Sequence, residues 1–104
     1  MATITTLQQG EIGKIFEKVF GEDIFTGART RERSAKRTAA YAYMREVMGM
    51  THMEIGAEVG RNQSTVGLGA KRFLGLLESG DAEAENIWMT ICAHRMWMEI
   101  EIMP

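Results

Sequence analysis

Thr51-His-Met-Glu-Ile-Gly-Ala-Glu-Val-Gly-Arg-Asn-Gln-Ser-Thr-Val-Gly-Leu-Gly-Ala-Lys-Arg72 is the stretch that decides the fold. It carries two helix-start signals in tandem, at Thr51 and Asn62, with a Gly-containing turn between them. Thr51 and Glu54 have the spacing of a capping box. The hydroxyl takes the Glu54 N–H and the carboxylate reaches back to the Thr51 N–H. Met53, Ile55 and Val59 follow as an apolar set at roughly helical spacing. Gly60 stands where the first helix should stop, because glycine tolerates the left-handed conformation of such an end. Asn62 is the expected N-cap of the second helix. Val66, Leu68, Ala70, Phe73, Leu74 and Leu77 then supply apolar positions to pack. This is the layout of a helix-turn-helix, whose second helix can enter the DNA major groove. An ordinary helical hairpin has the same local signals.

Outward from this segment, the rest of the chain also reads as helix. Residues 7–20 form an amphipathic pattern through Leu7, Ile12, Ile15, Phe16, Val19 and Phe20, ended by Gly21. Asp23-Ile24-Phe25 suggests one short helical turn and Thr26-Gly27-Ala28 a loop. A helix is expected over 32–48, stopped by Gly49, and a last one over 82–100 after the break at Ser79-Gly80-Asp81. The single Pro is the last residue, so it interrupts nothing. Strand signals are nearly absent, and the expected class is all-α.

With 104 residues, 45% of them hydrophobic and 25% charged, the composition is that of one globular domain spanning 1–104. One Cys excludes an internal disulfide framework and suits a reducing compartment. No apolar run is long enough to cross a bilayer and the N-terminal pattern is not that of a signal peptide, so the expected location is the cytoplasm. The net charge is −2, but it is unevenly spread. Residues 29–72 hold nine Lys/Arg against four Glu, a local +5, and the remainder carries −7. Phosphate attraction follows the local field more than the total.

These pieces, in this order, resemble the C-terminal DNA-binding domain of the bacterial replication initiator DnaA, over roughly residues 8–91. The resemblance lies in Glu54-Ile55-Gly56, Gly60-Arg61 and Ser64-Thr65-Val66. It extends to Arg29-Thr30-Arg31, Arg37, Ala40-Tyr41 and Arg45-Glu46, and to the Asp23-Ile24-Phe25 turn. It implies a compact helical bundle with a helix-turn-helix of the Trp-repressor and DnaA C-terminal type, with residues 92–104 as an extended C-terminal helix or tail. It implies sequence-specific binding of double-stranded DNA, in replication initiation or regulation. Base contacts would come from Arg29 in the minor groove and from Asn62, Gln63, Ser64 and Thr65 in the major groove. Phosphate contacts would come from Arg31, Arg37, Arg45, Arg61, Lys71 and Arg72. No cofactor or metal is implied.

The pattern departs from the family in three places, and three glycines inside the recognition helix add a cost of their own. Asn62-Gln63 replace the usual Asp-His, and since Asn and Gln pair bidentately with adenine, base preference should shift. Gly60 stands alone where the family has two glycines, which shortens the turn. Gly27-Ala28 occupy positions often held by Lys or Arg. Gly67, Gly69 and Gly75 lie inside the recognition helix, each at a cost of about 1 kcal/mol relative to Ala unless close packing offsets it. The family's ATPase phosphate loop has no counterpart in these 104 residues, so the chain resembles the DNA-binding part standing alone, host- or phage-encoded.

The segment 86–103 has two apolar stripes at helical spacing. One is Ile87, Ile91, Met98 and Ile102; the other includes Met89, Cys92, Met96, Ile100 and Met103. One stripe can cover the domain's own core and the other a second copy, so a homodimer through this helix is an expectation, beside a helix buried wholly in its own domain. The nine Met residues read as adaptable core filler. Cys92 and His94 point in different directions on a helix, against a metal site. No nucleophile–base pair is evident, so an enzyme is not expected. The rival to DNA binding is a protein-interaction module that keeps this fold.

Overall fold

The core is built around a helix that is buried on every side. Residues Ala39 to Met44 are all buried, six in a row, which an amphipathic surface helix never shows. The computed structural model describes residues 11–26 and 30–94. Within them run five helices: α1 (Glu11–Phe20), α2 (Arg31–Glu46), α3 (His52–Val59), α4 (Gln63–Glu78) and α5 (Ala82–Cys92). No strand occurs among the described residues. α2 is the central element and packs against α3, α4 and α5. The all-α class expected from the sequence is therefore the observed one.

Local chemistry sets the ends. Thr30 caps α2, its hydroxyl accepting the Arg33 N–H. The Thr51–Glu54 capping box forms in full, with hydrogen bonds of 3.1 and 2.8 Å. Gly60 closes α3 in the left-handed conformation, φ 72° and ψ 37°, where an L side chain would be strained. Asn62 Oδ1 accepts the Ser64 N–H at 2.7 Å to start α4, and Asp81 does the same for α5 through Ala84. α1 opens with help from another helix: the Glu58 carboxylate of α3 accepts the Ile12 N–H.

Packing then distributes the apolar residues. Phe16 meets Phe25 and Tyr43 edge-on at 6.2 Å. Trp88 of α5 lies against both Tyr43 and Phe73, at 5.7 and 5.9 Å. Such pairs each add about 0.5–1.5 kcal/mol beyond their burial. From α4 only Val66, Ala70 and Phe73 are fully buried, an i, i+4, i+7 stripe.

Four expectations are corrected. Leu68 was expected to pack, yet it is 72% exposed, because two residues beyond Val66 is about 200° around the helix. Met53, placed in the apolar set of α3, is likewise exposed. Asp23-Ile24-Phe25 forms no helical turn; the Asp23 carboxylate instead accepts the Phe25 and Thr26 N–H groups and the Thr26 hydroxyl. The last helix ends at Cys92 rather than at 100. Its bonding tightens there, with the His94 N–H reaching back to Ile91 O. Within α5, Ile91 is buried and Ile87 half-buried, while Met89 and Cys92 are exposed. Met96, Met98, Ile100, Ile102 and Met103, and the proposed start of the first helix at residue 7, lie outside the described residues.

Close approach explains three of the four glycines of α3 and α4. A Cβ on Gly56 would sit 2.4 Å from the Arg61 carbonyl oxygen, so α3 presses directly on the turn. A Cβ on Gly69 would be 3.0 Å from both Thr38 Cγ2 and the Tyr41 ring. Gly67 lies against the His52 ring. Gly75 faces open space, and nothing in the structure explains it. Thermal unfolding followed by circular dichroism should rank the alanine variants accordingly. Gly56→Ala should lose about 3 kcal/mol, because backbone is hard to displace, and Gly69→Ala about 1–2 kcal/mol. Gly75→Ala should gain about 1 kcal/mol.

Candidate nucleic-acid interface

The burial of Val66, Ala70 and Phe73 turns the opposite face of α4 outward. Ser64, Thr65, Leu68, Lys71 and Arg72 are exposed on it, and Gln63 is exposed in the first turn beside the buried stripe. Residues i and i+4 share a helix face, so Ser64 and Leu68 lie one above the other, with Lys71 and Arg72 a turn further on. α4 crosses α2, and a cleft opens on each side of the crossing.

The larger cleft, about 880 Å³, lies toward the C-terminal end of α2. Arg45, Lys71, His52, Gln63 and Ser64 line it, together with Glu46 and Glu78. The smaller, about 300 Å³, lies toward the N-terminal half of α2. Arg37, Arg61 and Arg72 converge there with Ser34, Thr38 and Thr65, and no carboxylate appears among the residues that line it. Leu68 borders both. Five of the six basic residues expected at phosphates are thus gathered around α4. Arg31 is exposed at the start of α2 and lines neither cleft. Arg29 lies outside the described residues.

Two of these arginines also hold the fold together. Arg37 donates to the Ile24 carbonyl at 3.1 Å and to the Ser34 hydroxyl at 2.8 Å. Arg61, from the turn between α3 and α4, donates to the next carbonyl, Phe25, at 2.7 Å. Both side chains are half-buried. They pin the segment that leads into the basic loop, while Ile24 and Phe25 bury their side chains beneath it. Composition and spacing did not reveal this second duty, since an arginine's partner depends on which loop the fold brings beside it.

The same holds for Arg33 and Lys36. Glu22 pairs with both, at 3.1 and 2.7 Å, so part of the local positive charge is neutralised within the fold. No carboxylate pairs with Arg37, Arg45, Arg61, Lys71 or Arg72 among the described residues. Asn62 is constrained in another way. Its Oδ1 is committed to the cap, so it contributes its amide NH₂ as a donor rather than the bidentate edge that adenine pairing needs. Gln63 has no such commitment. Among the described residues, no group of three His, Cys, Asp or Glu side chains could hold a metal ion. No described helix is long and apolar enough to cross a membrane.

The carboxylates before the basic loop make stability pH-dependent. Hydrogen bonds from Lys36 and then Arg33 hold Glu22 below its ordinary 4.5. The Thr26 hydroxyl and then the Phe25 N–H hold Asp23 below its ordinary 3.8. A depressed carboxylate pKa contributes stability that is present above the ordinary value and lost as pH falls through the folded-state value. Urea midpoints should therefore drop from pH 6 toward pH 3, and Glu22→Gln should shrink that drop. At neutral pH, Arg61→Ala should cost about 1–3 kcal/mol by leaving the Phe25 carbonyl without its donor. Arg72→Ala, with no such duty, should stay within about 0.5 kcal/mol.

No family model matches this chain, and no curated protein or solved structure does either.

Proposed function

We propose that this protein binds double-stranded DNA sequence-specifically, with α3 and α4 acting as a helix-turn-helix. The observation that carries the reading is the outward face of α4. Small polar side chains occupy its first turn, and basic residues that form no ion pair among the described residues stand in clefts on both sides. Base edges take hydrogen bonds from such side chains, and phosphates take the flanking cations. In this reading α4 enters the major groove. Gln63, Ser64 and Thr65 meet bases, Asn62 donates from the cap, and Arg31, Arg37, Arg45, Arg61, Lys71 and Arg72 meet phosphates. Arg29 enters the minor groove, whose narrow A·T tracts attract arginine. The resemblance to the DnaA C-terminal domain supports a replication-initiator-like or regulatory role in the cytoplasm.

A second reading has its own support. Met53 and Leu68 are about two-thirds or more exposed, at 67% and 72%, and Glu46 and Glu78 share the larger cleft with Arg45 and Lys71. A protein partner, or a second copy of the chain through its C-terminal stripes, would use such a mixed surface.

Fluorescence anisotropy with random-sequence duplex separates the two. Six phosphate contacts predict a loss of affinity on the order of a thousand-fold between 50 and 200 mM salt. Arg45→Ala should lower the salt slope by about one unit, and Arg29→Ala should weaken binding. Absence of salt-sensitive binding, or an unchanged slope in Arg45→Ala, overturns the DNA reading.

A further inference from the structure

Leu68 has the most exposed large apolar side chain on the described surface. It projects from the middle of the outward face of α4, one turn after Ser64, and borders both clefts. Its sequence neighbours are Gly67 and Gly69, so no adjacent side chain shields it. Everything around it on this face is polar or cationic: Ser64, Thr65, Lys71 and Arg72. Single exposed apolar side chains are common on protein surfaces, but this one stands at the centre of the face that the DNA-binding reading places against base edges, where an apolar partner would bury it.

The major groove offers one such group. Its base edges present hydrogen-bond donors and acceptors, except at pyrimidine C5, where thymine carries a methyl. We infer that Leu68 reads a pyrimidine C5-methyl group. Thymine is one source of that methyl and 5-methylcytosine the other. The inference rests on the DNA-binding reading and adds to it a specificity element of a different chemical kind. Gln63, Ser64 and Thr65 discriminate by hydrogen bonding; Leu68 discriminates by burial.

The test begins with duplexes selected by the wild-type protein from a random pool. Each thymine in the selected site is replaced in turn by deoxyuridine, which removes the methyl and leaves base pairing intact. One replacement should weaken wild-type binding about fourfold, the transfer value of one buried methyl. The same replacement should change binding by Leu68→Ala less than about twofold, while Leu68→Met should keep the wild-type response. At that position, 5-methylcytosine should bind more tightly than cytosine to the wild type and equally to Leu68→Ala. The inference is overturned if every deoxyuridine is tolerated, or if wild type and Leu68→Ala lose equally. Circular dichroism establishes that the variants are folded, and the deoxyuridine series on wild type decides the matter without them. If the wild type binds no duplex at all, the DNA-binding reading itself falls and this inference falls with it.

Discussion

The close crossing of α4 over α2 at Gly69 is the constraint from which the rest of the structure follows. Thr38 and Tyr41 stand 3.0 Å from where a Cβ on Gly69 would be, so only a glycine lets the two helices approach this closely. That approach seats Val66, Ala70 and Phe73 in the core. It puts Phe73 against Trp88, and Trp88 against Tyr43, which fixes α5. A helix held by one stripe must turn the opposite stripe to solvent. The outward position of Ser64, Leu68, Lys71 and Arg72 is therefore a consequence of how α4 is buried. The two clefts are the spaces on either side of the same crossing.

A second constraint joins the turn to the loop before α2. Arg61 and Arg37 converge on the consecutive carbonyls of Phe25 and Ile24. A carbonyl turned toward the protein interior needs a donor, and a guanidinium supplies several from one side chain. The turn between α3 and α4 is in turn pressed by Gly56, whose missing Cβ makes room for the Arg61 carbonyl. Arg61 thus ties three segments together while its cationic head stays beside Arg37 and Arg72 in the smaller cleft. By anchoring the loop from the turn, Arg61 orders the surface around the smaller cleft.

Much of this was legible locally. Thr51 with Glu54, Gly60 and Asn62 specify where α3 begins and ends and where α4 begins, because caps depend on atoms a few residues apart. The apolar periodicity identified Ile55, Val66, Ala70 and Phe73 correctly, and the gathering of Arg37, Arg45, Arg61, Lys71 and Arg72 agrees with the basic centre seen in the composition. The misreadings have a common origin. Leu68 and Met53 were placed in the core because they are apolar, yet angle around the helix decided their exposure. Arg33 and Lys36 counted toward a free positive field until the fold brought Glu22 beside them. The extension of the last helix past Cys92 rested on periodicity alone, which carries no information about where i to i−4 bonding gives way.

By itself, then, the amino-acid sequence determined the helical class, the five helical segments within the described residues, the caps and the positive centre. These follow from interactions between residues near one another along the chain. Only the tertiary structure decided which face of α4 looks outward, which arginines serve carbonyls as well as the surface, and which basic residues are neutralised. Those outcomes depend on segments brought together from far apart, such as Phe25 with Arg61 and Thr38 with Gly69. Close packing and charge pairing at such contacts are set by distances in space, not by spacing along the chain.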